Sequence, residues 1–127
     1  MNEKRFKKNQ EKLGHILAAL PQIEKDFDSF QSGSDGARKY FVNMCVDLAR
    51  LAKFRIQIRE IGDTGDFEEE SVDKALSLSD RVMNVCLEKI ILSYKLMKAY
   101  EGEEKEDAWE PWYKILEEKE GDSNDDS

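Results

Sequence analysis

Apolar residues recur along the chain at helical spacing. Leu13, Ile16, Leu20, Ile23, Phe27 and Phe30 alternate steps of three and four, which predicts a first helix over about residues 3–31 with one buried seam. Pro21 falls inside this segment without shifting its phase, so a kink or a restarted helix is expected there. The stretch QSGSDG (31–36) reads as a turn, with Ser34 or Asp35 capping the next helix.

The second helix is expected over about residues 36–61. Phe41, Met44, Leu48 and Leu51 line one face, and Tyr40, Val42, Cys45, Val46, Phe54 and Ile58 widen it. An apolar surface this broad predicts contact with more than one neighbour. GDTGD (62–66) ends the helix, and Asp66 with Glu69 has the spacing of a capping box for the next one. Glu68, Glu69 and Glu70 suit the positive end of that helix.

A third long segment, about 67–100, carries Val72, Leu76, Met83, Cys86, Ile90, Tyr94 and Met97 on one stripe, flanked by Val82, Leu87 and Ile91. SLSD (77–80) is expected to bend or break it, because Ser and Asp compete for backbone groups. Strand-like alternation and internal repeats are absent from the sequence. The predicted fold is all-α: an antiparallel bundle of three long helices plus a short C-terminal helix. It forms one domain over residues 1–119, with a disordered acidic tail at 120–127.

The short helix is DAWEPWYKILEE (107–118), which holds both tryptophans in the most acidic quarter of the chain. Pro111 fits a first helical turn, and Trp109, Trp112, Ile115 and Leu116 then gather on one side, next to Tyr113. The preferred reading is that they cover the open groove of the bundle. The functional alternative is that they anchor a protein partner or a second copy of the chain.

Composition narrows the function classes. The 127 residues are 39% hydrophobic and 38% charged, with a formal net charge of −8, too apolar for disorder and too acidic to favour bulk nucleic acid or anionic membrane. No apolar run approaches the roughly 18 residues needed to cross a bilayer. The basic N-terminus, MNEKRFKKNQEK, is not followed by an apolar segment of signal-peptide type, so a cytoplasmic location is expected. Cys45 and Cys86 both lie in apolar helical patterns and are expected to be buried, reduced thiols.

No catalytic residue, metal site or cofactor is predicted. His15 is the single histidine; it sits four residues after Glu11, with no second histidine for a carboxylate-bridged metal and no arginine just before it. GSDG and GDTGD lack the lysine and strand context of a phosphate loop.

Two basic groups need separate treatment. Lys39, Arg50 and Lys53 share a polar stripe with Asn43 and Gln57; with Lys4, Arg5, Lys7 and Lys8 they could track phosphates. A solvated face paired with neighbouring acids is the preferred reading at this net charge. Arg55 and Arg59 lie close to the apolar seam, and forks to Glu68, Glu69, Glu70 and Asp73 are expected of them, with an anion or acidic-peptide site as the sharper alternative. No family motif is present from which a functional residue could be carried over. The expectation is a non-enzymatic protein-interaction module, an adaptor, inhibitor or small subunit, with self-association open. A nucleic-acid-associated subunit or an acidic mimic of nucleic acid is the alternative.

Overall fold

The computed structural model describes residues 2–101. The short C-terminal helix and the tail expected from the sequence lie outside the described residues. Three helices account for most of the rest: α1 (Glu3–Asp26), α2 (Ser34–Asp63) and α3 (Glu69–Glu101). The described part is all-helical, and α2 and α3 pair along their length as an antiparallel hairpin.

The register of that hairpin is marked by paired residues. Gly62 meets Val72 near the connecting loop, Arg55 bonds Asp80, and the Cys86 thiol donates to the Met44 carbonyl. Further on, Phe41 and Tyr94 have ring centroids 6.1 Å apart, and Arg38 bonds Glu101 at the far end. α1 lies across one side of this hairpin. Its first turn is tied to the α2–α3 loop by two Arg5–Asp66 bonds of 3.0 Å and a Phe6–Phe67 stack. Its last turn lies near the start of α2, where the Tyr40 hydroxyl donates to the Phe27 carbonyl at 2.7 Å.

The core has two parts. Leu20, Ile23, Phe27, Tyr40, Phe41, Met44, Leu51, Val82, Cys86, Ile90 and Tyr94 form the larger. Ile16, Ile58, Val72 and Ala75 form the smaller, nearer the α2–α3 loop. Complete burial of side chains such as Ile16, Leu51 and Ile58 stabilises the bundle by about 1.5–3 kcal/mol each, before ordering costs.

Several local expectations change. α1 runs through Pro21 without a break and stops at Asp26, so Phe27 is its C-cap and Phe30 lies in the connection. Phe30 packs edge-on against Tyr40, centroids 5.4 Å apart. α3 also runs unbroken through Ser77–Asp80, because Ser79 is small enough to lie buried against its neighbours. The expected caps are replaced as well. Gly33, at a φ of 98°, precedes α2, and its carbonyl receives the Ala37 N–H; Ser34 and Asp35 are already helical. Asp66 gives its carboxylate to Arg5 instead of closing a capping box with Glu69.

Candidate docking face on the α2–α3 hairpin

α2 carries more apolar surface than its two neighbours cover. Val42 is 52% exposed, Val46 55% and Ile56 61%. At 100° per residue, Val42, Val46, Ala49, Lys53 and Ile56 fall within about 80° of one another on the helix. Leu87, 39% exposed, and the partly buried Ile91 occupy the corresponding side of α3. This side is opposite α1, since Tyr40 and Asp47, which face α1, lie on the other half of α2. Exposed apolar residues of both helices therefore lie on the side of the hairpin away from α1, with Lys53 among those of α2. The sequence expectation that α2 meets more than one neighbour holds for α1 and α3, yet leaves this side uncovered among the described residues.

Charged residues lie within and beside this group. Lys39 and Lys53 are exposed, as expected of the basic stripe. Arg50 is also exposed but turns to Asp47, with Nη1 at 3.3 Å from Oδ1. A depression of about 360 Å³, lined by Arg38, Lys39, Val42 and Asn43, marks one end of the group.

The paired arginines separate. Arg55 reaches Asp80 with its Nε at 2.6 Å and Nη2 at 3.5 Å, which raises the guanidinium pKa further above its ordinary value. Its expected partners, Glu68, Glu69, Glu70 and Asp73, lie too close to the loop. In an antiparallel hairpin a residue well inside α2 meets one equally far inside α3. Arg59 is exposed and takes part in none of the salt bridges among the described residues. The two arginines do not form a shared anion site. Trp109, Trp112, Tyr113, Ile115 and Leu116 lie outside the described residues.

One buried polar cluster was not expected from the sequence. Asp47, only 3% exposed, lies among Asp26 of α1, Arg50 of α2 and Cys86 of α3. Burial, then the neighbouring Asp26 carboxyl, raises its pKa to about 6, against the lowering effect of Arg50. Burial, with Asp47 and Cys45 adding to it, pushes the Cys86 thiol up to about 12. An isolated Asp in an amphipathic pattern is the only sequence signal for such a site, and it does not separate burial from exposure.

His15 is exposed on α1, and no group of three or more His, Cys, Asp or Glu side chains is arranged to hold a metal ion among the described residues. No helix among them is long and apolar enough to cross a membrane. Comparison with family models, curated proteins and solved structures finds no match for the chain.

Proposed function

We propose that this chain is a non-enzymatic binding module that docks another protein on the outer face of α2 and α3. The carrying observation is the group of Val42, Val46, Ile56 and Leu87, each more than a third exposed and all on the side away from α1. Exposed apolar surface gathered on one face, instead of scattered singly, is the mark of an interaction site. Lys39 at its edge and Lys53 within it fit a partner helix whose apolar stripe carries acids.

The non-enzymatic reading is supported by the chemistry of the reactive groups. Cys86 is held as a thiol, His15 stands alone on its helix, and Asp47 faces Asp26 and Arg50. Free Cys45 and Cys86 suit a reducing compartment such as the cytoplasm. The nucleic-acid alternative is weakened because Arg5 and Arg50, two of its bases, are engaged by Asp66 and Asp47.

The test is affinity capture with the full chain and with a Val46→Glu/Ile56→Glu variant. Both positions are more than half exposed, so the variant should keep its helix content and melting behaviour. Its captured protein should be lost, and wild-type capture should persist in molar salt. A variant that keeps every partner overturns the proposal. Capture of nucleic acid that falls steeply with salt establishes the alternative.

A further inference from the structure

We infer that the outer face of α2 pairs with the same face of a second copy of the chain, the two helices running antiparallel. The inference rests on the reading of that face as a docking surface and names its partner.

Phase carries the first step. Val42, Val46, Ala49, Lys53 and Ile56 follow one another by four, three, four and three residues, and all five are exposed. The same steps reach Lys39 on one side and Glu60, then Asp63, on the other, all exposed and all within α2. Alternate steps of three and four, kept up over about seven turns, are the seam of a coiled coil. Met44, Leu51 and Ile58 each stand two residues from a seam position, about 200° round the helix, and are fully buried. The seam therefore points directly away from the core, and no helix among the described residues covers it.

Charge decides the occupant. The seam is basic at its start, with Lys39, and acidic at its end, with Glu60 and Asp63. None of these three, nor Lys53, takes part in a salt bridge among the described residues, whereas Arg38 and Arg50 are held by Glu101 and Asp47. Glu60 and Asp63 also occupy the last turn of α2, where the helix dipole disfavours negative charge and no base is present. A second copy lying antiparallel brings a Lys39 to each of these acidic ends. A parallel copy would set Lys39 on Lys39, Lys53 on Lys53 and Glu60 on Glu60.

One alignment satisfies shape and charge together. With Lys39 opposite Asp63 of the second copy, Val42 meets Glu60, Val46 meets Ile56 and Ala49 meets Lys53, each contact made twice by symmetry. Glu60 and Asp63 of the copy then arrive at the depression lined by Arg38, Lys39, Val42 and Asn43. The small Ala49 leaves room for the Lys53 stem to run out to water. Leu87 follows Cys86, whose thiol marks the level of Met44, so it stands beside Val46 and widens the Val46–Ile56 contact. Slipping by one heptad sets Asp35 against Glu60 in one direction and Val46 against Asp63 in the other.

Sedimentation equilibrium of the full chain, from micromolar to millimolar concentration, tests the inference. The wild type should reach a mass twice the 14.7 kDa of one chain. Val46→Glu should remain a monomer with unchanged helix content. Lys39→Glu should weaken the dimer by about tenfold, since it sets like charges together at both ends. Adding Glu60→Lys and Asp63→Lys to Lys39→Glu reverses every end charge and should restore the dimer. A wild type that stays monomeric throughout overturns the inference. So does a dimer indifferent to Val46→Glu, which would hold by another surface. A dimer that Val46→Glu breaks, but that the charge reversals neither weaken nor restore, overturns the antiparallel pairing. The two readings fail separately. A monomeric wild type whose captured protein is lost in Val46→Glu/Ile56→Glu keeps the docking face and removes the self-pairing. A Val46-dependent dimer whose captured proteins survive those changes does the reverse.

Discussion

Gly62 and Val72 lie so close across the α2–α3 turn that a Cβ at position 62 would stand 2.7 Å from a Val72 methyl carbon. On helix propensity alone, Gly62→Ala should stabilise α2 by about 1 kcal/mol. The contact reverses that sign, because Val72 is β-branched and has little freedom to turn away. Gly62→Ala should therefore destabilise the bundle by about 1–3 kcal/mol in urea titration. In a Val72→Ala background the same change should be neutral or favourable. A stabilising effect in the wild-type background would mean that the helices can separate at this end without loss.

Asp47 sets a pH dependence of unusual sign for a carboxylate. Its pKa is raised from 3.8 to about 6 in the folded chain, so between those values the folded state binds the proton that the unfolded state has released. Stability should fall as pH rises through this window and level off above it; below it Asp47 contributes nothing. The groups facing it are Asp26 from α1, Arg50 on its own helix and Cys86 from α3. Asp47→Asn should thus stabilise the protein at about pH 7.5, by up to roughly 3 kcal/mol with the Arg50 contact already counted in that pKa, and match wild type near pH 4. Urea unfolding at the two pH values checks both arms. Loss of stability at the higher pH would show that the ion pair with Arg50 outweighs the burial of charge.

The three long helices were legible because their apolar residues keep phase over many turns, and phase survives local irregularity. That same persistence explains the unbroken runs through Pro21 and Ser77–Asp80: packing of Ile16, Leu20 and Ile23 holds α1 together, and Ser79 fits inside the core. What periodicity cannot convey is the distance between helices. The Arg55–Asp80 bond follows from hairpin register, and the burial of Asp47 from α1 crossing one side only. The exposed apolar side of α2 was half visible. Val42 and Val46 broadened the apolar arc of α2, but an arc gives no sign of which part a neighbour leaves open.

Cys86 should be inert in the native protein. Its thiol is fully buried, donates to the Met44 carbonyl at 3.2 Å and has its pKa pushed up to about 12, so the reactive thiolate is scarce at neutral pH. Alkylation followed by mass spectrometry should label Cys45 first and Cys86 only at the rate of unfolding. Rapid modification of Cys86 at neutral pH in the folded chain would contradict the packing of α2 against α3 at this level.

The first turn of α1 holds the α2–α3 loop by two contacts of different physics. Phe6 stacks on Phe67 with ring centroids 4.9 Å apart, while Arg5 forks onto Asp66 with its own side chain 48% exposed. Apolar burial is insensitive to salt, whereas this ion pair, half exposed at Arg5 but only 7% exposed at Asp66, is screened in part. Phe6→Ala should therefore cost about 1–2 kcal/mol at any ionic strength, by loss of the stacked pair and its buried area. Arg5→Ala leaves the Asp66 carboxylate without its partner, so its cost should shrink in molar salt without vanishing. The same variant tests the basic N-terminus as a phosphate reader. With its charge already matched by Asp66, Arg5→Ala should leave retention on a nucleic-acid column unchanged. A marked loss of retention would mean that Arg5 leaves Asp66 for phosphate and that α1, not the hairpin face, meets the partner.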